Sequence, residues 1–152
     1  MARLGLVLVF AVLLPAAAAA QQTRPRVIDG QTLEVGGTVV RLFGIWAPEC
    51  DQTCRVPQGR WSCGEFSTAA LHDLIRNRAV SCAQVDSGRY ATVTVARCTA
   101  GGRDLGAALV AGGWALAQHG AAPDYVALEA KARKSGAGVW RGDTGAAGYV
   151  PY

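Results

Sequence analysis

The chain opens on a continuous apolar run. Residues 4–14 (LGLVLVFAVLL) follow one basic side chain, Arg3, and lead through Pro15 into five alanines at 16–20. A basic start, an apolar stretch and small residues at its end are typical of a secretory signal peptide. As a helix the run spans about 16 Å, whereas a bilayer core is about 30 Å thick. We therefore predict a signal peptide at 1–20 and export to the periplasm or the exterior, with an uncleaved anchor as the alternative.

Beyond this run the pattern changes to short apolar and β-branched segments that predict strands. The predicted strands are 26–28, 32–35, 38–45, 79–85 and 90–98. Gly36 and Gly37 fit a two-residue hairpin connection between the second and third strands. The polar stretch 86–89 (DSGR) predicts a tight turn between the last two strands.

Helical spacing of apolar residues predicts three helices, at 65–77, 105–111 and 124–135. Pro123 suits the start of the last helix and Gly136 its end. Residues 46–64 contain two prolines and no periodicity, which predicts a long loop. Strands early in the chain with helices appended predict an α+β fold, a small closed β-barrel with helices, and the length fits one domain.

Composition excludes few classes of function. Half of the residues are hydrophobic (51%) and 17% are charged, so the chain is not of the disordered class. The formal net charge of +4 permits an anionic partner without requiring one. His72 is expected on a helix surface and His119 in a loop, without a partner nucleophile that would make either a catalytic base.

The five cysteines are Cys50, Cys54, Cys63, Cys82 and Cys98. Export favours disulfides, and an odd number leaves one thiol over. We predict Cys54–Cys63 and Cys82–Cys98, with Cys50 free or intermolecular. A tight turn at 86–89 would set Cys82 opposite Val93, so the second pair needs another register or a bulge. Zinc is disfavoured because three thiolates lack a nearby fourth ligand.

Five segments in order resemble the staphylococcal nuclease (thermonuclease) family. Residues 27–33 (VIDGQTL) resemble its V-x-D-G-D-T segment, and residues 41–49 (RLFGIWAPE) its R-L-x-x-I-D-x-P-E segment. Residues 86–89 resemble its D-x-x-G-R hairpin, with one residue fewer. Residues 104–115 and 129–140 resemble its later parts. The resemblance implies an OB-fold, a five-stranded barrel with about three helices, over most of the chain.

The resemblance also implies a chemistry, calcium-dependent hydrolysis of DNA and RNA. Carried over by position, Arg41 and Arg89 bind phosphate and stabilise charge, and Glu49 acts on the attacking water. The two calcium aspartates of the family are replaced, by Gln31 and Trp46. We therefore expect no protein-bound metal from these positions, and Ca²⁺, the family cofactor, is doubtful here.

Several alternatives stay open at these positions. A shifted cation site could use Asp29 or Asp51, although Asp29 also suits a turn that caps its own backbone. Trp46 could stack on a base or fill the vacant metal pocket. Arg41 could bind phosphate or pair with Glu49.

The sequence thus predicts an exported thermonuclease-like protein with a degenerate calcium site and weak or absent hydrolysis. The alternative is a non-catalytic OB-fold module that binds nucleic acid or an envelope partner. The expected partners are DNA or RNA. The expected state is a monomer with no transmembrane segment after signal cleavage, a domain at 21–140 and a flexible tail at 141–152.

Overall fold

A computed structural model describes residues 24–85 and 93–141 of the chain. The predicted signal peptide, the turn at 86–89 with Arg89, and the tail beyond residue 141 lie outside these residues. No helix within the described ranges is both long enough and apolar enough to cross a membrane.

The described residues form short strands, three α-helices and one 3₁₀ turn. In chain order they are β1 (Arg26–Asp29), β2 (Thr32–Val35), β3 (Thr38–Leu42), β4 (Ile45–Trp46), β5 (Cys54–Val56), β6 (Gly59–Trp61), α1 (Cys63–Ile75), β7 (Val80–Gln84), β8 (Thr94–Ala100), β9 (Arg103–Asp104), α2 (Leu105–Ala111), β10 (Leu116–Ala117), α3 (Pro123–Lys134) and the 3₁₀ turn Gly138–Trp140.

The main sheet has the order β1-β2-β3-β8-β7, with β9 also paired to β8. Its first three strands are antiparallel, and β3 pairs with β8 in parallel. Gly36 and Gly37 both have positive φ (57° and 81°), as the predicted hairpin connection requires. The α+β class and three helices are confirmed, but the hydrogen-bonded strands do not run round into a closed barrel in the described part of the chain.

One hydrophobic core joins the sheet to the helices. Its buried members come from β2, β3, β4, β8 and all three helices, and they include Leu33, Ile45, Leu71, Leu109 and Tyr125. The start of α2 is capped by Asp104, whose side chain accepts from the Ala107 N–H at 2.9 Å. Pro123 begins α3, as its fixed φ favours.

The predicted long loop at 46–64 is wrong in its second half. β5 and β6 form a small hairpin there, with Cys54 opposite Trp61. A disulfide joins Cys54 to Cys63, the first residue of α1, with Cα atoms 5.6 Å apart. The hairpin escaped prediction because Pro57 and Gly59 mask a strand pattern only three residues long on each side.

The register of β7 and β8 differs from the one that a tight turn at 86–89 would impose. The register of β7 and β8 pairs Cys82 with Cys98 and Gln84 with Ala96. The Val85 N–H continues the ladder by donating to the Val95 carbonyl at 2.8 Å. The pairing is therefore centred on residue 90, whereas the pairing of Cys82 with Val93 would have been centred between residues 87 and 88. This register sets the two cysteines face to face, and their disulfide is present with Cα atoms 4.0 Å apart.

Candidate functional site

Gln31, at the first of the two positions where the resemblance implies a calcium aspartate, is buried, at 6% exposure. Its side-chain oxygen Oε1 accepts the Ala47 N–H at 3.2 Å. Its backbone carbonyl accepts the Leu42 N–H at 2.8 Å. Gln31 therefore ties the turn after β1 to the end of β3 and to the segment that follows β4.

Trp46, at the second position where the resemblance implies a calcium aspartate, is half-buried at the end of β4. Its strand pairs with β10, where Leu116 lies opposite Trp46. The guanidinium carbon of Arg41 lies 5.4 Å from the centroid of the Trp46 ring. At this distance the ring and the cation attract each other, so Trp46 supports the Arg41 side chain.

Arg41 lies in the middle of the main sheet, opposite Thr32 on β2 and Val95 on β8. It is half-buried, and it forms no ion pair with a carboxylate among the described residues. The alternative in which Arg41 pairs with Glu49 is therefore not what the structure contains. Its guanidinium keeps its hydrogen-bond donors available for an anion.

Glu49 is exposed on the segment between β4 and β5. Its backbone N–H donates to the Gln52 side chain at 3.3 Å, and its carbonyl accepts the Gln52 N–H at 2.9 Å. The start of α1 packs tightly on this segment, since a Cβ on Gly64 would lie 1.7 Å from the Glu49 carbonyl oxygen. The Cys54–Cys63 disulfide holds the same corner. The backbone of Glu49 is therefore fixed while its carboxylate faces solvent.

Of the two roles expected for Asp29, cation ligand and turn stabiliser, the structure shows the second. Its Oδ1 accepts the Gln31 N–H at 2.8 Å, which is a turn stabilised by its own side chain. Asp51 is exposed. Among residues 24–85 and 93–141, no group of three or more His, Cys, Asp or Glu side chains is arranged to hold a metal ion.

The fold thus brings Gln31, Arg41 and Trp46 into one place and sets Glu49 three residues beyond Trp46. Arg89, the second predicted phosphate ligand, lies outside the described residues. Nothing in the described part of the chain therefore tests its role.

A sequence model of the staphylococcal nuclease homologue family matches residues 39–142, which is more than half of the chain. The chain belongs to the staphylococcal nuclease family. The OB-fold of this family is therefore its fold, and the family generally uses Ca²⁺.

One curated relative of this family member is the succinoglycan biosynthesis protein ExoI of Rhizobium meliloti (strain 1021). The two are 31% identical over 118 residues, which cover 76% of this chain and 62% of the relative. The chain thus spans less than two thirds of that protein's length.

A charged network that the sequence did not reveal joins β8 to α2 and α3 in this nuclease-family chain. Arg97 donates to both carboxylate oxygens of Asp124, at 2.9 and 3.1 Å, and to the Tyr125 hydroxyl at 3.0 Å. Tyr125 in turn donates to Asp104 at 2.9 Å. Arg97 also lies between two rings, 5.1 Å from Phe43 and 5.0 Å from Tyr125. An aspartate directly before a helix is a sequence signal for a cap, which Asp104 provides, and it carries no indication of a network.

Three pKa values are shifted within this network. The hydrogen bond to Asp124 raises the pKa of Arg97, and the same bond lowers the pKa of Asp124. Burial, followed by the hydrogen bond to Asp104, raises the pKa of Tyr125 well above its usual range. The network is therefore most stable with Asp124 ionised and the Tyr125 phenol protonated.

His119 has a partner that the sequence did not suggest. Its Nε2 lies 2.6 Å from Oε2 of Glu129 on α3, while Oε1 of Glu129 accepts the Ala117 N–H at 2.9 Å. Glu129 is buried and the His119 side chain is 62% exposed. The pair anchors β10, which lies against the strand of Trp46.

Proposed function

We propose that this family member is an exported, catalytically impaired nuclease domain that binds nucleic-acid phosphate and hydrolyses it weakly or not at all. Arg41 and Arg89 bind phosphate in this proposal, and Glu49 has the role that the family resemblance implies, acting on the attacking water wherever hydrolysis remains. The observation that carries it is the hydrogen bond from the Ala47 N–H to the Gln31 side chain.

This hydrogen bond reduces what Gln31 can offer to a bound Ca²⁺ ion. Ca²⁺ takes six to eight oxygen ligands, and carboxylates supply the charge that offsets its loss of water. Gln31 offers one neutral side-chain oxygen, which already accepts an N–H, and Trp46 offers none. Asp29 uses one carboxylate oxygen on the Gln31 N–H, and Glu49 and Asp51 are exposed carboxylates outside the two aspartate positions of the family. These residues do not fit the family's calcium ion, because the two positions supply no carboxylate for it.

Phosphate binding is supported by Arg41. A half-buried guanidinium without a carboxylate partner in the described residues is costly unless an anion from solvent satisfies it. The fork of N–H groups in arginine matches phosphate oxygens, and the Trp46 ring limits the directions the side chain can take. The site therefore retains a phosphate ligand while it has lost the family's metal ligands.

The test combines calorimetric titration of Ca²⁺ with a nuclease assay on the chain without residues 1–20. We expect weak Ca²⁺ binding and little cleavage from the unmodified protein, with single-stranded DNA bound at low salt. The double variant Gln31→Asp with Trp46→Asp should gain Ca²⁺ binding. A matched control, Gln58→Asp with Gln84→Asp, adds two carboxylates at exposed positions away from the pair and should gain none.

Strong Ca²⁺-dependent cleavage by the unmodified protein, abolished by Glu49→Gln, would contradict the proposal and indicate a relocated metal site. Loss of DNA binding in Arg41→Gln, with the melting temperature unchanged, would support phosphate binding by this residue.

A second candidate function is carried by the relative. ExoI is described as a succinoglycan biosynthesis protein, which suggests that this chain is a non-catalytic module acting on envelope polysaccharide synthesis. The two disulfides are compatible with a place outside the cytoplasm, in the cell envelope. Deleting the gene and measuring exported polysaccharide tests this candidate. Loss of polysaccharide restored by the Arg41→Gln variant would favour it over nucleic-acid binding.

A further inference from the structure

A cleft of about 460 Å³ lies between α1 and α2, and none of its lining residues belongs to the strand of Arg41. This volume falls in the range of small-molecule sites, about 300–1,000 Å³. Alanines and Gly112 form much of its surface. Small side chains along both helices keep the cleft open.

One wall of the cleft is aromatic. The rings of Phe66 and Trp114 are nearly parallel, with 12° between their planes and centroids 6.4 Å apart. Trp61 packs against both rings, and Arg141 covers Trp61 at 4.9 Å and Trp114 at 5.9 Å. Phe66 is the outermost ring and is 49% exposed, so part of its surface is open to a ligand.

The cleft also carries two arginines, Arg78 and Arg103. Arg78 is held in place by two contacts. Its Nη1 donates to the Leu74 carbonyl at 2.8 Å. Its Cδ packs against Gly101, so closely that a Cβ added to this glycine would lie 3.3 Å from it. Arg103 is exposed and forms no ion pair within residues 24–85 and 93–141. The carboxylate at the cleft, Asp73, is already paired with Arg76. The charge available to a ligand there is therefore positive.

We propose that this cleft binds one nucleotide unit of a single-stranded nucleic acid. The base lies against Phe66, and the adjoining phosphate is held by Arg103 and Arg78. An aromatic surface beside a positive groove is the combination that binds single strands without sequence preference. The choice of nucleic acid rests on the proposed function, but the cleft is a separate site from Arg41.

The experiment measures fluorescence anisotropy of a labelled oligothymidylate of about ten nucleotides, a length within the usual site size of an OB-fold. Phe66→Ala should weaken binding about fivefold or more, because stacking on one ring contributes at least that much. Arg103→Gln should weaken binding and make it less dependent on salt, since one phosphate contact is lost.

Two matched controls accompany these variants. Val39→Ala truncates another exposed apolar side chain, at 43% exposure, and Arg55→Gln removes another exposed arginine. Both should bind within about twofold of the parent, as expected of surface changes outside a contact. Phe66→Tyr keeps the ring and should bind like the parent, which separates stacking from an effect on folding.

The outcomes distinguish this inference from the proposed function. If Arg41→Gln weakens binding while Phe66→Ala and Arg103→Gln do not, the cleft proposal is overturned and the proposed function stands. If the cleft variants weaken binding and Arg41→Gln does not, the cleft is supported and the Arg41 site is not. Cleft-dependent binding of polygalacturonate, with no binding of the oligothymidylate, would also overturn the inference.

Discussion

Gln31 and Tyr125 are both buried polar side chains that join separate parts of the chain, and their partners differ in kind. Gln31 accepts a backbone N–H through a neutral amide. Tyr125 donates to Asp104 and accepts from Arg97, within a network that holds one cation and two carboxylates. In the Arg97 network the cation and the carboxylates satisfy one another, whereas Arg41 beside Gln31 has no carboxylate among the described residues.

This difference separates stability from function. Groups that satisfy one another stabilise the fold and have little left to offer a ligand. A cation without a partner contributes less to stability and is available to an anion from solvent. We therefore expect changes in the Arg97 network to affect unfolding, and changes around Arg41 to affect binding.

The largest expected effect is from Arg97→Ala. The change removes hydrogen bonds to Asp124 and Tyr125 and the packing of the guanidinium between two rings. The free energy of unfolding should fall by about 2–4 kcal/mol. Denaturant titration measures it.

Affinity for single-stranded DNA in the same Arg97→Ala variant should remain at the parent's value. A variant with unchanged stability and lost DNA binding would reverse the assignment of the two regions.

Tyr125→Phe should have the next largest effect, about 1–2 kcal/mol, because it leaves Asp104 without the phenol donor. The raised pKa of Tyr125 adds a pH signature. The unfolded phenol ionises near pH 10 while the folded one stays protonated, so stability is complete below pH 10 and is lost as the pH rises above it.

Denaturant titration from pH 8 to 11 checks this signature. The parent should lose stability above about pH 10 by more than Tyr125→Phe does. Equal slopes for the two proteins would show that the phenol ionises normally in the folded state.

Gln31→Leu should cost about 1 kcal/mol, since it removes one buried hydrogen bond and keeps the volume. Gln31→Glu is the matched variant, because it keeps the length and adds a charge beside Arg41. We expect the glutamate to weaken DNA binding more than the leucine does, since it offers Arg41 a competing anion. The reverse order would mean that Arg41 does not bind phosphate.

The framework of the fold was accessible from sequence because local signals agreed with it. Gly36 and Gly37 predicted a hairpin, Pro123 a helix start, and residues 105–111 a helix whose bounds the structure reproduces. The hairpin at 54–61 was not accessible from sequence, because its strands are too short to show an alternation of apolar and polar residues.

The network around Arg97 was inaccessible for another reason. Arg97 lies 27 and 28 residues from Asp124 and Tyr125, Asp104 lies 21 residues from Tyr125, and only the placement of α3 against β8 and α2 brings them together. Spacing along the chain carries no signal for such a contact. For the candidate site, motif positions identified Gln31, Arg41 and Trp46 as neighbours, but not the hydrogen bond that occupies the Gln31 oxygen.

The smallest expected effect is at Asp124, which is exposed and paired with Arg97. The hydrogen bond to Arg97 holds its pKa below the ordinary value. A lowered pKa contributes stability that is present above the unfolded value, near pH 4, and is lost as the pH falls through the folded value. Asp124→Asn should therefore weaken the dependence of the unfolding free energy on pH below about pH 4 and leave its value near neutral pH nearly unchanged, since exposed pairs contribute little.

Denaturant titration from pH 2 to 6 measures both proteins, with Asp51→Asn as the control for an exposed aspartate. If Asp51→Asn weakened this dependence as much as Asp124→Asn, the acid response would reflect net charge and not this ion pair.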